Sequence, residues 1–486
     1  MARTLSYQAA ILTLGRVLAF LALFFVPIVN VRTLSKDDFG LYRQFWLLFD
    51  TVSVFLILGV PQSLLYYFPR AEDRREKAIY LTQTLVFLVL MGLVSWLVYG
   101  VLFVVLGPGL GDAVRQYLWA FCLFTLFMMV SRTMERLFIA EKQAERQAAF
   151  IAGAYGLQAL TVISVSWFTK RIDLILWALV AYALSRLLVT LFYCIPVYKP
   201  SLRDCSFKTI KEQCSYAIPL GLATIVLLVF AQTDKYVIIH FLGREVFAVY
   251  SIGAFQLPFM DIIRTSIMNV VFPLMAEHQK EGRYAEILTL WQRATLKTAV
   301  VFFPIFVFLE VSARPFITIL FTEDYADAVP IFMIYLLIFL RSALDTTSVL
   351  MVYKKTGFMF KVNLVAFVCH VAFSVFMFKT IGWLGVPIAT ATVYYVQNSV
   401  NLLKAGQLLD TSVFRLMPWG KLVIRFVTAA TLGGALHFAY RVYPVATFVE
   451  LALAAVFYFA VYLGVCLALR FIYISEIKAI FGRTDA

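Results

Sequence analysis

Long apolar runs separated by short charged connectors set the pattern of this chain. Runs of about 20 or more mostly apolar residues recur near residues 9–31, 44–68, 81–106, 117–139, 148–168 and 174–195. They recur near 215–241, 247–273, 294–318, 329–352, 357–379 and 383–407, then at 420–441 and 448–471. A helix needs about 20 apolar residues to cross a hydrocarbon core ~30 Å thick, so each run predicts one spanning helix. The runs lack period-two alternation and are about twice as long as barrel strands, which excludes a transmembrane β-barrel. The predicted class is an all-α polytopic membrane protein with about fourteen transmembrane helices. The first run is too long for a signal-peptide core and has no small-residue cleavage site, so it is expected to stay as the first span.

The connectors predict orientation. With the N-terminus inside, inner connectors and tails with the span ends that adjoin them hold 26 Lys and Arg, and the outer connectors with theirs hold 10. The positive-inside rule then places both termini in the cytoplasm. No connector exceeds about 24 residues, so no soluble domain is expected between spans. Composition agrees: 62% of residues are hydrophobic and 14% charged, against roughly 45–50% and about 25% in soluble domains. That excludes a soluble, disordered or DNA-binding chain. The net charge of +14 falls almost wholly on the inner connectors and reads as topology, with no nucleic-acid partner.

An internal repeat emerges from the connectors. Leu34-Ser-Lys-Asp-Asp-Phe39-Gly-Leu-Tyr42 matches Leu242-Gly-Arg-Glu-Val-Phe247-Ala-Val-Tyr250, 208 residues later. Arg132 with Glu135 in span 4 and Arg341 with Asp345 in span 10 recur at nearly the same offset, 209 residues between the arginines. This predicts two six-helix units, residues 1–207 and 208–411, followed by two additional helices and a tail in 412–486. An even number of spans per unit makes the repeats parallel, an arrangement that places transporter sites between two lobes.

The segment Arg32 to Arg70 carries the Leu-Ser-x-x-x-Phe-Gly-x-Tyr connector, then a helix ending in Gly59-Val-Pro-Gln-Ser and Tyr66-Tyr-Phe-Pro-Arg70. With fourteen spans, it resembles the polysaccharide (O-antigen type) flippase family of the multidrug/oligosaccharidyl-lipid/polysaccharide exporter superfamily. The motif resemblance covers about residues 1–75 and is echoed at 242–250. It implies translocation of an undecaprenyl-diphosphate-linked oligosaccharide from the inner to the outer leaflet by alternating access, for surface lipopolysaccharide or exopolysaccharide biosynthesis. The implied partners are the lipid-linked oligosaccharide, membrane lipids and the polysaccharide polymerase machinery, around a monomer. A lipid II flippase and an ion-coupled drug or cation antiporter are the alternatives within the superfamily.

Ionisable residues at membrane depth are costly, about 2.5–3.5 kcal/mol each on insertion scales, so they face cavities or pair. Away from the span ends, six basic residues lie at membrane depth, Arg16, Arg132, Arg186, Lys235, Arg264 and Arg341, and six acidic ones, among them Asp50, Glu135, Asp234, Asp261 and Asp345. Arginine offers a planar fork of donors that stays charged when desolvated, which suits a diphosphate. Arg16, Arg264 and Arg341 are the candidates for that contact; alternatively Arg264 pairs with Asp261 one turn away and Arg16 snorkels to the interface. Asp50, Asp234, Lys235 and Asp261 are candidates for ion coupling, by proton or sodium, or for gating, with an Asp50–Lys235 salt bridge as the simplest device. Arg132 with Glu135 and Arg341 with Asp345 are expected to pair within their own helices.

No metal or organic cofactor is expected, since the six cysteines are scattered without metal-ligand spacing. No phosphate loop, HExxH or nucleophile elbow appears, so an enzyme such as a membrane-embedded polymerase or glycosyltransferase is disfavoured. His370 reads as a satisfied core histidine. Pro27, Pro61, Pro219 and Pro258 predict bends in spans 1, 2, 7 and 8. Tyr66-Tyr67-Phe68 and Trp419 read as interfacial aromatics, and residues 277–297 as an amphipathic surface helix.

Overall fold

The computed structural model describes residues 5–105, 110–201, 205, 207–255 and 258–471. Among them there are helices and no strands. The first half comprises α1 (Leu5–Thr33), α2 (Lys36–Ile57), α3 (Val60–Tyr67), α4 (Arg74–Val105), α5 (Leu110–Gln116), α6 (Leu118–Ser131), α7 (Thr133–Ala140), α8 (Ala144–Thr169), α9 (Ile172–Tyr198) and α10 (Phe207–Gly253). The second comprises α11 (Pro258–Lys280), α12 (Tyr284–Val311), α13 (Ala313–Phe321), α14 (Val329–Arg341), α15 (Thr347–Val352), α16 (Thr356–Ile381), α17 (Gly385–Leu408), α18 (Val413–Leu416), α19 (Trp419–Val442) and α20 (Phe448–Ala468). The chain packs as two compact units, Met1–Ser251 and Ile252–Ala486.

Ten described helices are long and apolar enough to cross a membrane, eleven with the bent pair α2–α3. The difference from fourteen lies in where helices break. α10 continues through Gly243, whose φ of 77° and ψ of −172° are not helical, so it holds span 7 and the beginning of span 8. Span 10 is cut after Arg341 into α14 and α15. α11 and α17 carry enough polar residues to fall outside the apolar set.

In the first unit, Ser35 caps α2 by accepting a hydrogen bond from the Asp38 amide at 3.1 Å. α2 ends at Leu58 and Gly59, both with positive φ, and Pro61 then opens α3 after a 51° bend. The expected kink at Pro61 therefore falls just before it, because a proline fits the first helical turn. Aromatic rings seat α2 on α6: Phe45 lies 4.6 Å from Phe121 and Phe49 lies 4.8 Å from Phe124. α1 packs along α8, where a Cβ at Gly15 would meet the Ala148 backbone at 2.8 Å. Such close approach favours helix association in lipid, where there is little hydrophobic drive and van der Waals contact decides.

α2–α3 and α10 are joined along their length. Arg244 pairs with Asp37 at 2.9 Å, and a Cβ at Gly40 would lie 2.2 Å from the Arg244 carbonyl oxygen. The two repeated connectors thus touch one another. Further along, Gly221 approaches Leu58, Tyr216 stacks on Tyr66 with centroids 4.7 Å apart, and the Tyr67 hydroxyl donates to the Glu212 carbonyl at 2.9 Å. Phe68 is buried, so it packs inside the unit and is not part of an interfacial belt.

In the second unit α12 is central. Phe302 stacks on Phe339 at 5.0 Å, Phe303 meets Phe426 at 5.5 Å, and Phe308 meets Tyr458 at 5.7 Å. Ile287 and Trp291 are fully buried at the start of α12, so residues 284–297 continue span 9 and do not form a separate surface helix. His370 is buried and its Nε2 lies 2.9 Å from the Thr390 hydroxyl, the core role expected for it.

Candidate functional site

The first unit gathers charges from three places in the chain. Arg43 and Asp50 stand seven residues apart on α2, two turns, so both project from one face. The sequence places Arg43 in a connector; the structure places it well inside a spanning helix, about 10 Å from the Lys36 end at 1.5 Å per residue. Arg132 sits at the junction of α6 and α7. Its guanidinium lies 5.1 Å over the Phe49 ring and 3.8 Å from an Asp50 carboxylate oxygen.

α10 supplies the rest. Asp234 is fully buried, accepts a hydrogen bond from the Tyr250 hydroxyl at 2.7 Å, and has Lys235 Nζ at 3.9 Å. In a straight helix, residues sixteen apart would be separated by about 24 Å. The reversal at Gly243 is what returns Tyr250 to Asp234. Lys235 Nζ also donates to the Ala231 carbonyl at 3.1 Å, and the Tyr236 hydroxyl donates to Thr51 at 2.8 Å, tying α10 to α2. The charges of Arg132, Arg43 and Lys235 all act on Asp50.

The expected pairings shift accordingly. Arg132 pairs with Asp50 and not with Glu135. Glu135 instead pairs with Arg186 of α9, which spacing within one helix left without a partner. Lys235 contacts Asp234, so the direct Asp50–Lys235 bridge is replaced by two linked pairs. For Arg132 and Glu135 the reason is the same: side chains on neighbouring helices lie closer than the i, i+3 partner along their own helix, whereas Lys235 meets its own neighbour in the chain.

The remaining candidates are dispersed. Arg16 is exposed on α1 of the first unit, and Arg264 is half-buried on α11 of the second. The Asp261 side chain lies outside the described residues. Arg341 ends α14 with its guanidinium 4.5 Å over the Tyr394 ring. The helix breaks after it, which takes Asp345 off its helix face. Asp345 accepts from the Thr347 hydroxyl at 2.8 Å, and its carbonyl accepts from the Trp291 indole at 2.5 Å. Among the described residues no group of three or more His, Cys, Asp and Glu could hold a metal ion. Arg43, Thr51, Tyr236 and Tyr250 were missed by sequence reasoning. The seven-residue spacing from Asp50 was the available signal for Arg43; nothing local marked the others.

A family model described as polysaccharide biosynthesis protein matches residues 29–330, and one described as lipid II flippase MurJ matches residues 245–464. No curated protein matches the sequence significantly. In fold, the chain is similar to a lipid II flippase MurJ in an inward closed conformation, with TM-score 0.66, 13% identity, and coverage of 93% of this chain and 99% of that one. It is also similar to an outward-facing multidrug resistance transporter of the MATE family, with TM-score 0.58, 13% identity, and coverage of 83% and 95%. A MOP superfamily transporter from Pyrococcus furiosus gives TM-score 0.57, 11% identity, and coverage of 83% and 95%. At these identities the likeness is one of fold.

Proposed function

We propose that this chain, which belongs to the family of polysaccharide biosynthesis proteins in the multidrug/oligosaccharidyl-lipid/polysaccharide exporter superfamily, is a flippase for a polyprenyl-diphosphate-linked oligosaccharide. It moves the lipid from the inner to the outer leaflet of the cytoplasmic membrane by alternating access, with both of its termini in the cytoplasm. The observation that carries this reading is the charge constellation of the first unit. Three cations, Arg43, Arg132 and Lys235, stand with two carboxylates, Asp50 and Asp234, inside helices apolar enough to span. A drug or cation antiporter needs the opposite excess.

A diphosphate leaving water needs charged donors that survive desolvation, and guanidinium groups supply them in a bidentate fork. Arg341 of the second unit is the arginine that meets the diphosphate, while in the first unit Asp50, Asp234 and Lys235 couple a proton or sodium ion or hold a gate. Asp261 is a further candidate for that role. The chain works as a monomer beside the polysaccharide polymerase machinery.

The test is deletion of the coding sequence in a strain without a second flippase, followed by analysis of polyprenyl-linked glycan. The expected result is glycan accumulating on the inner leaflet and loss of surface polysaccharide. Normal surface polysaccharide overturns the reading. A second reading, lipid II as the carried lipid, is favoured by the lipid II flippase model matching residues 245–464. In that case the deletion traps lipid II and leaves other polyprenyl-linked glycans unchanged.

A further inference from the structure

In the second unit the short connector after α19 returns α20 along it as an antiparallel neighbour. The buried residues of α19 are Leu422, Arg425, Ala429 and Gly433, and those of α20 are Leu451, Tyr458, Tyr462 and Cys466. The Tyr458 hydroxyl donates to the Ala429 carbonyl at 3.1 Å, which fixes the register of the pair. One turn from that contact along each helix, Tyr462 stands against Arg425, and their charges act on one another. Arg425 follows Trp419, the first residue of α19, by six residues, about 9 Å along the helix.

Arg425 is 9% exposed, and among the described residues no carboxylate pairs with it. Its Nε is buried without a hydrogen-bond partner. Its Nη1 donates to the Lys421 carbonyl at 3.1 Å, which turns the guanidinium back toward the start of α19. Phe471 covers one face of it, 4.6 Å from the ring centroid. The turn that ends α20 brings Phe471 there. Arg470 takes a φ of 55°, its amide donates to the Leu467 carbonyl at 3.2 Å, and the Phe471 amide donates to the Cys466 carbonyl at 2.8 Å, the Schellman pattern. The buried Tyr462 hydroxyl has no oxygen or nitrogen partner among the described residues, and the Cys466 thiol beside it is a weak one. Two buried donors, the Arg425 Nε and the Tyr462 hydroxyl, thus lack an acceptor at the same crossing.

We propose that the α19–α20 pair binds the phosphodiester head group of an anionic bilayer phospholipid through Arg425, Lys421 and the Tyr462 hydroxyl. An arginine at membrane depth is costly and takes a partner or reaches for the interface, and Arg425 is turned toward that interface. Arg415, Lys421, Arg425 and Arg470 stand at this end of the pair, and residues 411–425 and 462–471 contain no carboxylate. That excess of positive charge favours a net negative head group over a zwitterionic one. Trp419, exposed beside them, marks the head-group level. Lys421 and Arg470 are exposed and form the entrance. On the proposed topology this end faces the cytoplasm, where basic pockets between helices take anionic head groups. One guanidinium edge and one hydroxyl match a single phosphoryl group. The site lies outside the proposed transport chemistry and does not depend on which lipid is carried.

The test is native mass spectrometry of the full detergent-solubilised chain titrated with phosphatidylglycerol or phosphatidylcholine, which differ in head-group charge. Wild type is expected to retain one phosphatidylglycerol with about tenfold preference over phosphatidylcholine. Arg425→Gln should abolish that preference, and Tyr462→Phe should lower it about threefold. Arg425→Lys, which keeps the charge and loses the planar fork, should recover part of it. Equal binding of the two lipids by wild type, or an undiminished preference in Arg425→Gln, overturns the site. Displacement of phosphatidylglycerol by an equimolar amount of undecaprenyl diphosphate assigns the site to the carried lipid and overturns the proposal. Because Arg425→Gln can fail to fold, phosphatidylglycerol bearing a head-group diazirine is also crosslinked to wild type. Labels concentrated in 415–425 and 462–471 support the site. Labels spread evenly over the other basic connectors overturn it.

Discussion

Replacing Glu135 with Leu should destabilise the first unit, and replacing Arg186 as well should restore it. The Arg186 side chain is 2% exposed and that of Glu135 22%, and the two are bonded directly. Arg186 also donates to the Tyr182 hydroxyl at 3.3 Å and lies 5.3 Å from the Phe150 ring and 5.5 Å from the Tyr155 ring. Those aromatic contacts cannot neutralise a guanidinium once its carboxylate is gone. Removing one member of a buried pair costs about 3–5 kcal/mol, whereas replacing both with apolar groups is often neutral or stabilising. Glu135→Leu is expected near the lower end of that range, because Glu135 is partly accessible. Glu135→Leu with Arg186→Leu should lie within about 1 kcal/mol of wild type or above it. The assay is the unfolding midpoint of the detergent-solubilised protein, followed by tryptophan fluorescence for both variants and wild type. A single variant as stable as wild type refutes the reasoning. So does a double variant no more stable than the single one.

Three further outcomes follow from close contacts and caps. A Cβ at Gly221 would lie 2.3 Å from the Leu58 carbonyl carbon and 2.5 Å from its oxygen; Gly221→Leu should therefore cost about 1–3 kcal/mol by overpacking, read as a lowered unfolding midpoint. Tyr250→Phe leaves the fully buried Asp234 without its 2.7 Å donor. It should destabilise by about 1–3 kcal/mol, and an unchanged midpoint would show that Asp234 does not depend on that bond. At the start of α20, Thr447 accepts from the Glu450 amide at 3.2 Å while Glu450 accepts from the Thr447 amide at 3.0 Å. Thr447→Ala should cost about 1 kcal/mol, and amide hydrogen exchange should rise in the first turn of α20 and not in its last.

The spacing of apolar runs determined the class of the protein, its many spanning helices and the approximate place of each, because crossing a hydrocarbon layer imposes a length that composition alone satisfies. The sequence also marked Asp50, Asp234, Lys235 and Arg341 as charges too costly to be accidental. Their partners were another matter. Arg132 faces Asp50 and Arg186 faces Glu135 because α2, α6–α7 and α9 pack side by side, a fact no spacing along one helix contains. Tyr250 reaches Asp234 only because the chain reverses at Gly243, sixteen residues of helix folded back on themselves. Arg43 passed as a connector residue because α2 begins earlier than its apolar run. The open cavity between α14 and α17 likewise exists only where Ile334 and Leu337 of α14 meet the Ile388–Ser399 stripe of α17. Local hydropathy determines which segments enter the membrane; the contacts between helices, which depend on side-chain shape at each crossing, decide which charges meet.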